Sequence, residues 1–168
     1  MTLLESKIEH KEESREAVSV TGGNGLRAMS PESRREAGIL LILLPTVIYG
    51  GVSILSMLIS DPAYAQNQLR QDLWRAGHAH AGVLLVLSLL TLLYVDQANL
   101  SERLKRVVRT FVPVSAILLP AAFFLSVLTP DATQPNALIY LAYVGAVLLA
   151  IGLLVLGVGL IRKKKSSA

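Results

Sequence analysis

The sequence predicts an all-α integral membrane protein, a four-helix bundle behind a disordered N-terminal tail. Three observations carry that prediction. Apolar residues make up 52% of the 168-residue chain and charged residues only 17%. The mean hydropathy is +0.53, too apolar for a soluble domain of this length. The apolar residues fall into four runs without a central charge, each near the ~20 residues that cross a ~30 Å hydrocarbon core.

The elements follow in order. Residues 1–29 are polar and charged, and "TGGNG" breaks them flexibly, so a disordered cytoplasmic tail is expected. "SPESRREAGILL" then starts a helix: Ser30 is the N-cap, Pro31 suits the first helical position and Glu32 favours the helix dipole. The domain 30–162 contains spans at about 37–60, 77–95, 107–128 and 137–161, and residues 163–168 form a basic cytoplasmic tail. Arg34-Arg35 followed by an apolar run and Ala63-Tyr64-Ala65 imitates an export signal. The run is longer than the ~7–15 residues of such a signal, so it reads as a span that stays uncleaved.

Charge sets the expected orientation. Arg27, Arg34 and Arg35 precede span 1; Arg103, Lys105, Arg106 and Arg109 fall between spans 2 and 3; Arg162, Lys163, Lys164 and Lys165 end the chain. The loop "TPDATQPNA" has no basic residue, and the first loop has only Arg70 and Arg75. The positive-inside rule then puts both termini in the cytoplasm. The basic segments face anionic lipid, so the bilayer is the expected partner and nucleic acid is not.

Packing signals are also legible. Gly145, Gly152 and Gly159 recur every seven residues with Ala142 and Ala146 nearby, a stripe for close helix contact. It reads first as a packing seam and second as a face for a homo-oligomer or membrane partner. Ser53, Ser56 and Ser60 are expected to bond between helices, and Pro45, Pro113 and Pro120 to bend their helices or free carbonyls.

The chemistry concentrates in "LWRAGHAHAGVLLVL" (73–87), which holds two of the three histidines. Cysteine is absent, which excludes disulfides, thiolate metal sites and cysteine nucleophiles. No acid–histidine–nucleophile set is legible in the spans, so catalysis is not expected. Residues two apart on a helix point about 200° apart, so His78 and His80 cannot hold one metal ion from one helix. His78 shares a face with Trp74, Arg75 and Gly82; His80 shares one with Leu73, Ala76, Gly77 and Leu84. A neutral imidazole is a metal or haem ligand and a proton relay. Ala76, Gly77, Ala79, Ala81 and Gly82 leave room for a neighbouring helix or a flat ligand. Ser56, Met57, Ser60, Ser126, Thr129, Asn136, Tyr140 and Tyr143 are expected at the same depth. Trp74 and Arg75 read as interface anchors.

The run Arg-Ala-Gly-His-Ala-His-Ala-Gly (75–82) resembles a motif of small bacterial four-span membrane proteins of unassigned function, which implies a bacterial inner (plasma) membrane. Locally it also resembles the haem-ligating helix of haem–copper oxidase subunit I, in which a histidine followed by a small residue ligates low-spin haem. That resemblance implies haem b on His78 or His80 without deciding which. On this reading Arg75 pairs with a propionate, and the second ligand is Met57, a symmetry-related histidine in a dimer, or nothing. The oxidase's copper ligands and acid relay have no counterpart, so oxidase activity is not implied. Two other functions stay open: a proton or small-solute conduit or sensor, with Tyr140 or Tyr143 extending a relay from the histidines, and a structural or accessory membrane subunit.

Overall fold

The computed structural model describes residues 28–162, and among these it is helical with no strand. The order is α1 (Pro31–Ser60), a one-turn α2 (Pro62–Ala65), α3 (Gln68–Val95), α4 (Glu102–Ser126), a 3-10 turn (Ala137–Tyr140) and α5 (Leu141–Ile161). Four helical segments are long and apolar enough to cross a membrane. The tails expected at 1–29 and 163–168 lie outside the described residues, apart from Ala28 and Met29.

Helix starts follow their caps. Ser30 accepts from the Ser33 amide with Pro31 in the first turn, and Asn67 and Ser101 cap α3 and α4 in the same way. The helices outrun the apolar runs: α3 begins at Gln68 and α4 at Glu102 because caps, not hydropathy, fix where a helix starts. Span 3 ends at Ser126 rather than Leu128, and span 4 opens as a 3-10 turn. Ala63-Tyr64-Ala65 is wound into α2, which Asp61 caps, with Tyr64 fully buried.

The row of helices runs α1–α3–α4–α5, with α4 at its centre; α1 packs on α3 and barely touches α4. Between α4 and α5, Val95, Ala98, Val108, Val112 and Leu156 form the main core. The glycine stripe is consumed here. A Cβ on Gly145 would stand 3.0 Å from Leu119 Cγ and one on Gly152 2.7 Å from Val112 Cγ2, while Gly159 meets Leu100. The stripe is therefore an internal packing seam, and its groove is filled by α4 and the loop before it. A thinner seam of Leu40, Leu85 and Leu92 joins α1 to α3. Most of the apolar surface of α1 faces outward, as lipid contact requires.

Successive helices alternate in direction. The Ser30 amide reaches Asp96 at 2.8 Å, and the Asn99 amide reaches the Gly159 carbonyl at 2.8 Å. The start of α1, the α3–α4 loop and the end of α5 therefore share one end of the bundle. At the other end Asn67 Nδ2 holds the carbonyls of Pro130 and Ala132. Asn136 Nδ2 holds that of Leu125.

Candidate functional site at the histidine end

His78 and His80 diverge, as their spacing requires. His78 turns toward α1. A Cβ on Gly51 would stand 2.8 Å from its Nε2, and one on Gly50 3.9 Å from its Nδ1. The imidazole therefore fills the notch that the Gly50–Gly51 pair leaves in α1. The flanking grooves, of about 530 and 560 Å³, share His78, Gly82 and Val86 and are otherwise apolar.

His80 turns the other way. It is exposed, with its ring 5.1 Å from that of Phe123. Its Nδ1 lies 2.7 Å from the Ala76 carbonyl oxygen. A carbonyl oxygen only accepts, so Nδ1 is the donor in this contact, and the tautomer that carries its one proton there has its lone pair on Nε2. Metal-ligating histidines are commonly fixed in this manner, with the second nitrogen donating to a backbone oxygen.

The small residues around the pair serve helix packing first. Gly77 receives Phe123 and Phe124 of α4, and Gly82 faces Val47 of α1. Met57 lies six residues beyond Gly51, about 9 Å farther along the helix axis, and Tyr140 and Tyr143 stack on each other at 6.1 Å. The structure brings none of these three to a histidine. Ser53 and Ser60 bond back to the Tyr49 and Ser56 carbonyls of their own helix. The expected interhelical bonds fail because an i−4 carbonyl is always within reach and α1 has few neighbours.

Trp74 is packed inside an aromatic cluster rather than only anchoring the interface. It contacts Tyr64 at 5.6 Å and Phe124 at 5.8 Å. The buried Arg70 guanidinium stands 4.9 Å from its ring and donates from Nε to the Val127 carbonyl. Burial pushes the Tyr64 hydroxyl pKa up, against the opposing pull of the nearby Arg75 guanidinium. Arg75 is exposed and donates to Gln71 Oε1. Among the described residues no group of three His, Cys, Asp or Glu is placed to hold a metal ion.

A second polar cluster, at the opposite end, escapes the sequence reading. Arg109, grouped there with the basic loop, is 8% exposed and pairs with Asp96 at 2.6 Å. It also donates to Ser33 Oγ at 3.1 Å and Ser30 Oγ at 3.0 Å. Burial works against the charged form of Asp96, but bonds from the Ser30 amide, the Ser33 hydroxyl and Arg109 outweigh it. Its carboxyl is held below the ordinary range. The sequence signal is the position of Arg109, between Val107–Val108 and Phe111–Val112, deeper than Arg103, Lys105 and Arg106. An arginine among apolar residues needs a buried acid, and Asp96 closes the preceding span.

No family model, curated protein or solved structure matches this chain.

Proposed function

We propose that this small multi-pass membrane protein binds b-type haem at the histidine end, with His80 as the ligand; Arg75, about 140° around the helix from His80 and bonded to Gln71, drops out as the propionate partner. The observation that supports this most is the Nδ1–H bond from His80 to the Ala76 carbonyl at 2.7 Å, which leaves an outward lone pair on Nε2. His78 is the seam residue in this reading, because its Nε2 faces Gly51. Met57 is too far along α1 to complete the site, so the sixth position is open or belongs to the equivalent His80 of a second copy. Haem held there would supply one-electron redox chemistry, while the chain fixes the ring nitrogen and leaves the face open to the bilayer.

The same reading puts both termini in the cytoplasm of a bacterial inner membrane and the histidines on the outer side. Among the described residues, Arg34, Arg35, Arg103, Lys105, Arg106 and Arg162 lie on segments at the Arg109 end, which favours that orientation. A relay through Tyr140 and Tyr143 is less favoured, since the two rings contact each other. An accessory subunit docking through the glycine stripe is less favoured because that seam is filled internally.

The test is an absorption spectrum of detergent-purified protein expressed with added haem, oxidised and dithionite-reduced. The expected result is a Soret band that His80→Ala abolishes and His78→Ala retains. A colourless protein under these conditions overturns the proposal. The spin state of the bound haem tells an open sixth position from a bis-histidine pair.

A further inference from the structure

Because α1 packs on α3 and barely touches α4, a crevice opens between α1 and α4 at the Arg109 end. It encloses about 220 Å³. Ile39, Leu43, Pro113 and Ile117 form apolar walls, and Glu36 and Arg109 are its polar lining. That volume equals roughly seven waters at ~30 Å³ each, but walls so apolar do not hold a water cluster.

The polar lining is short of donors. Glu36 Oε2 is buried without a hydrogen-bond partner, and Glu36 takes no part in the three ion pairs among the described residues. Arg109 is already engaged by Asp96, Ser30 and Ser33. Pro113 has no amide hydrogen, so the carbonyl of Arg109, four residues earlier, lacks its usual helical donor. Glu36 is half-buried, but its Oε2 is a buried acceptor without a partner; such an oxygen calls for a donor, and the apolar walls call for hydrocarbon.

We infer that this crevice binds an amphiphile with an ammonium head and an alkyl tail, the head on Glu36 and the tail between Ile39, Leu43, Pro113 and Ile117. Amine-headed lipids and free long-chain amines share that chemistry. The inference does not depend on haem, since neither His78 nor His80 is among the residues that line the crevice.

The experiment uses the full chain in dodecyl maltoside micelles, with empty micelles as the blank. Calorimetric titration with decylammonium and with decanol compares charged and uncharged heads on one tail. The expected result is decylammonium binding tighter by about ten-fold or more, as a charge-assisted bond warrants. Glu36→Gln is expected to abolish that preference. If Glu36→Gln does not fold, Ile117→Trp at the exposed mouth (Ile117 is 65% exposed) is expected to block both ligands. Equal binding of both ligands by the parent protein overturns the inference. So does an unchanged preference in folded Glu36→Gln, or unimpaired binding by Ile117→Trp. Native mass spectrometry with added phosphatidylethanolamine or phosphatidylglycerol separates the sources. Retention of the amine lipid alone supports a lipid occupant, and retention of neither, with decylammonium bound, supports a free amine.

Discussion

At the Arg109 end, Arg109, Asp96, Ser30 and Ser33 bind one another across α1, α3 and α4. At the other end His78 fills a glycine notch, and His80 bonds only to a carbonyl one turn earlier on its own helix. The first arrangement spends its donors and acceptors on holding helices together, while the second leaves a ring nitrogen uncommitted. The difference teaches where each polar group can act. A charge buried between helices is useful mainly when answered, whereas an imidazole at an exposed face stays available for a ligand.

The largest expected effect comes from breaking the answered end. Asp96→Ala leaves the buried guanidinium with only a long contact to the exposed Glu102, at 3.9 Å, and is expected to destabilise by about 3 kcal/mol in SDS-titration unfolding. Arg109→Met with Asp96→Leu is expected to recover most of that loss. If the single and double variants are equally unstable, the pair is not the lock described. Next comes the packed seam. Gly152→Leu drives a side chain into Val112, already 2.7 Å from where a Cβ would stand, and is expected to lose roughly 1–3 kcal/mol.

The histidine end responds differently. Gly51→Ala crowds His78 Nε2, and His78→Ala is expected to relieve it, with coupling of roughly 0.5–3 kcal/mol in a double-mutant cycle. Strict additivity contradicts the notch. Acid sharpens the comparison further. The Asp96 carboxyl is held below its ordinary value of ~3.9. Its stabilisation is therefore complete above that value and is lost as pH falls through the lower folded-state pKa. Melting temperatures at pH 6 and pH 3 are expected to diverge more for the parent protein than for Asp96→Asn. The smallest effect belongs to Ser53→Ala, within about 0.5 kcal/mol, because that hydroxyl bonds only within its own helix.

Much of this architecture is legible in the sequence. Hydropathy marks the spans, Ser30-Pro31 marks the start of α1, and seven-residue spacing marks the glycine seam. Helical geometry alone separates His78 from His80. What escapes depends on contacts between helices. Asp96 and Arg109 are thirteen residues apart, on different helices, so no local pattern joins them. Gly50–Gly51 carries no local signal of a contact until α3 inserts an imidazole against it. Tyr64 figures in the sequence only as the middle of Ala63-Tyr64-Ala65, whereas α2 packs it against Trp74. The seating of His80 against Ala76 was open to helical reasoning, since i−4 carbonyls are always near. Its outward face required knowing where α1 and α4 lie.

The central claim is that His80 carries its proton on Nδ1 and presents Nε2, while His78 is held in the seam. Nitrogen-15 NMR of imidazole-labelled protein in micelles, assigned with His78→Ala and His80→Ala, reads both tautomers directly. The account predicts a fixed Nδ1–H tautomer for His80, whose Nε2 signal alone among the two shifts on haem addition. An Nε2–H tautomer at His80, or a haem response confined to His78, contradicts it.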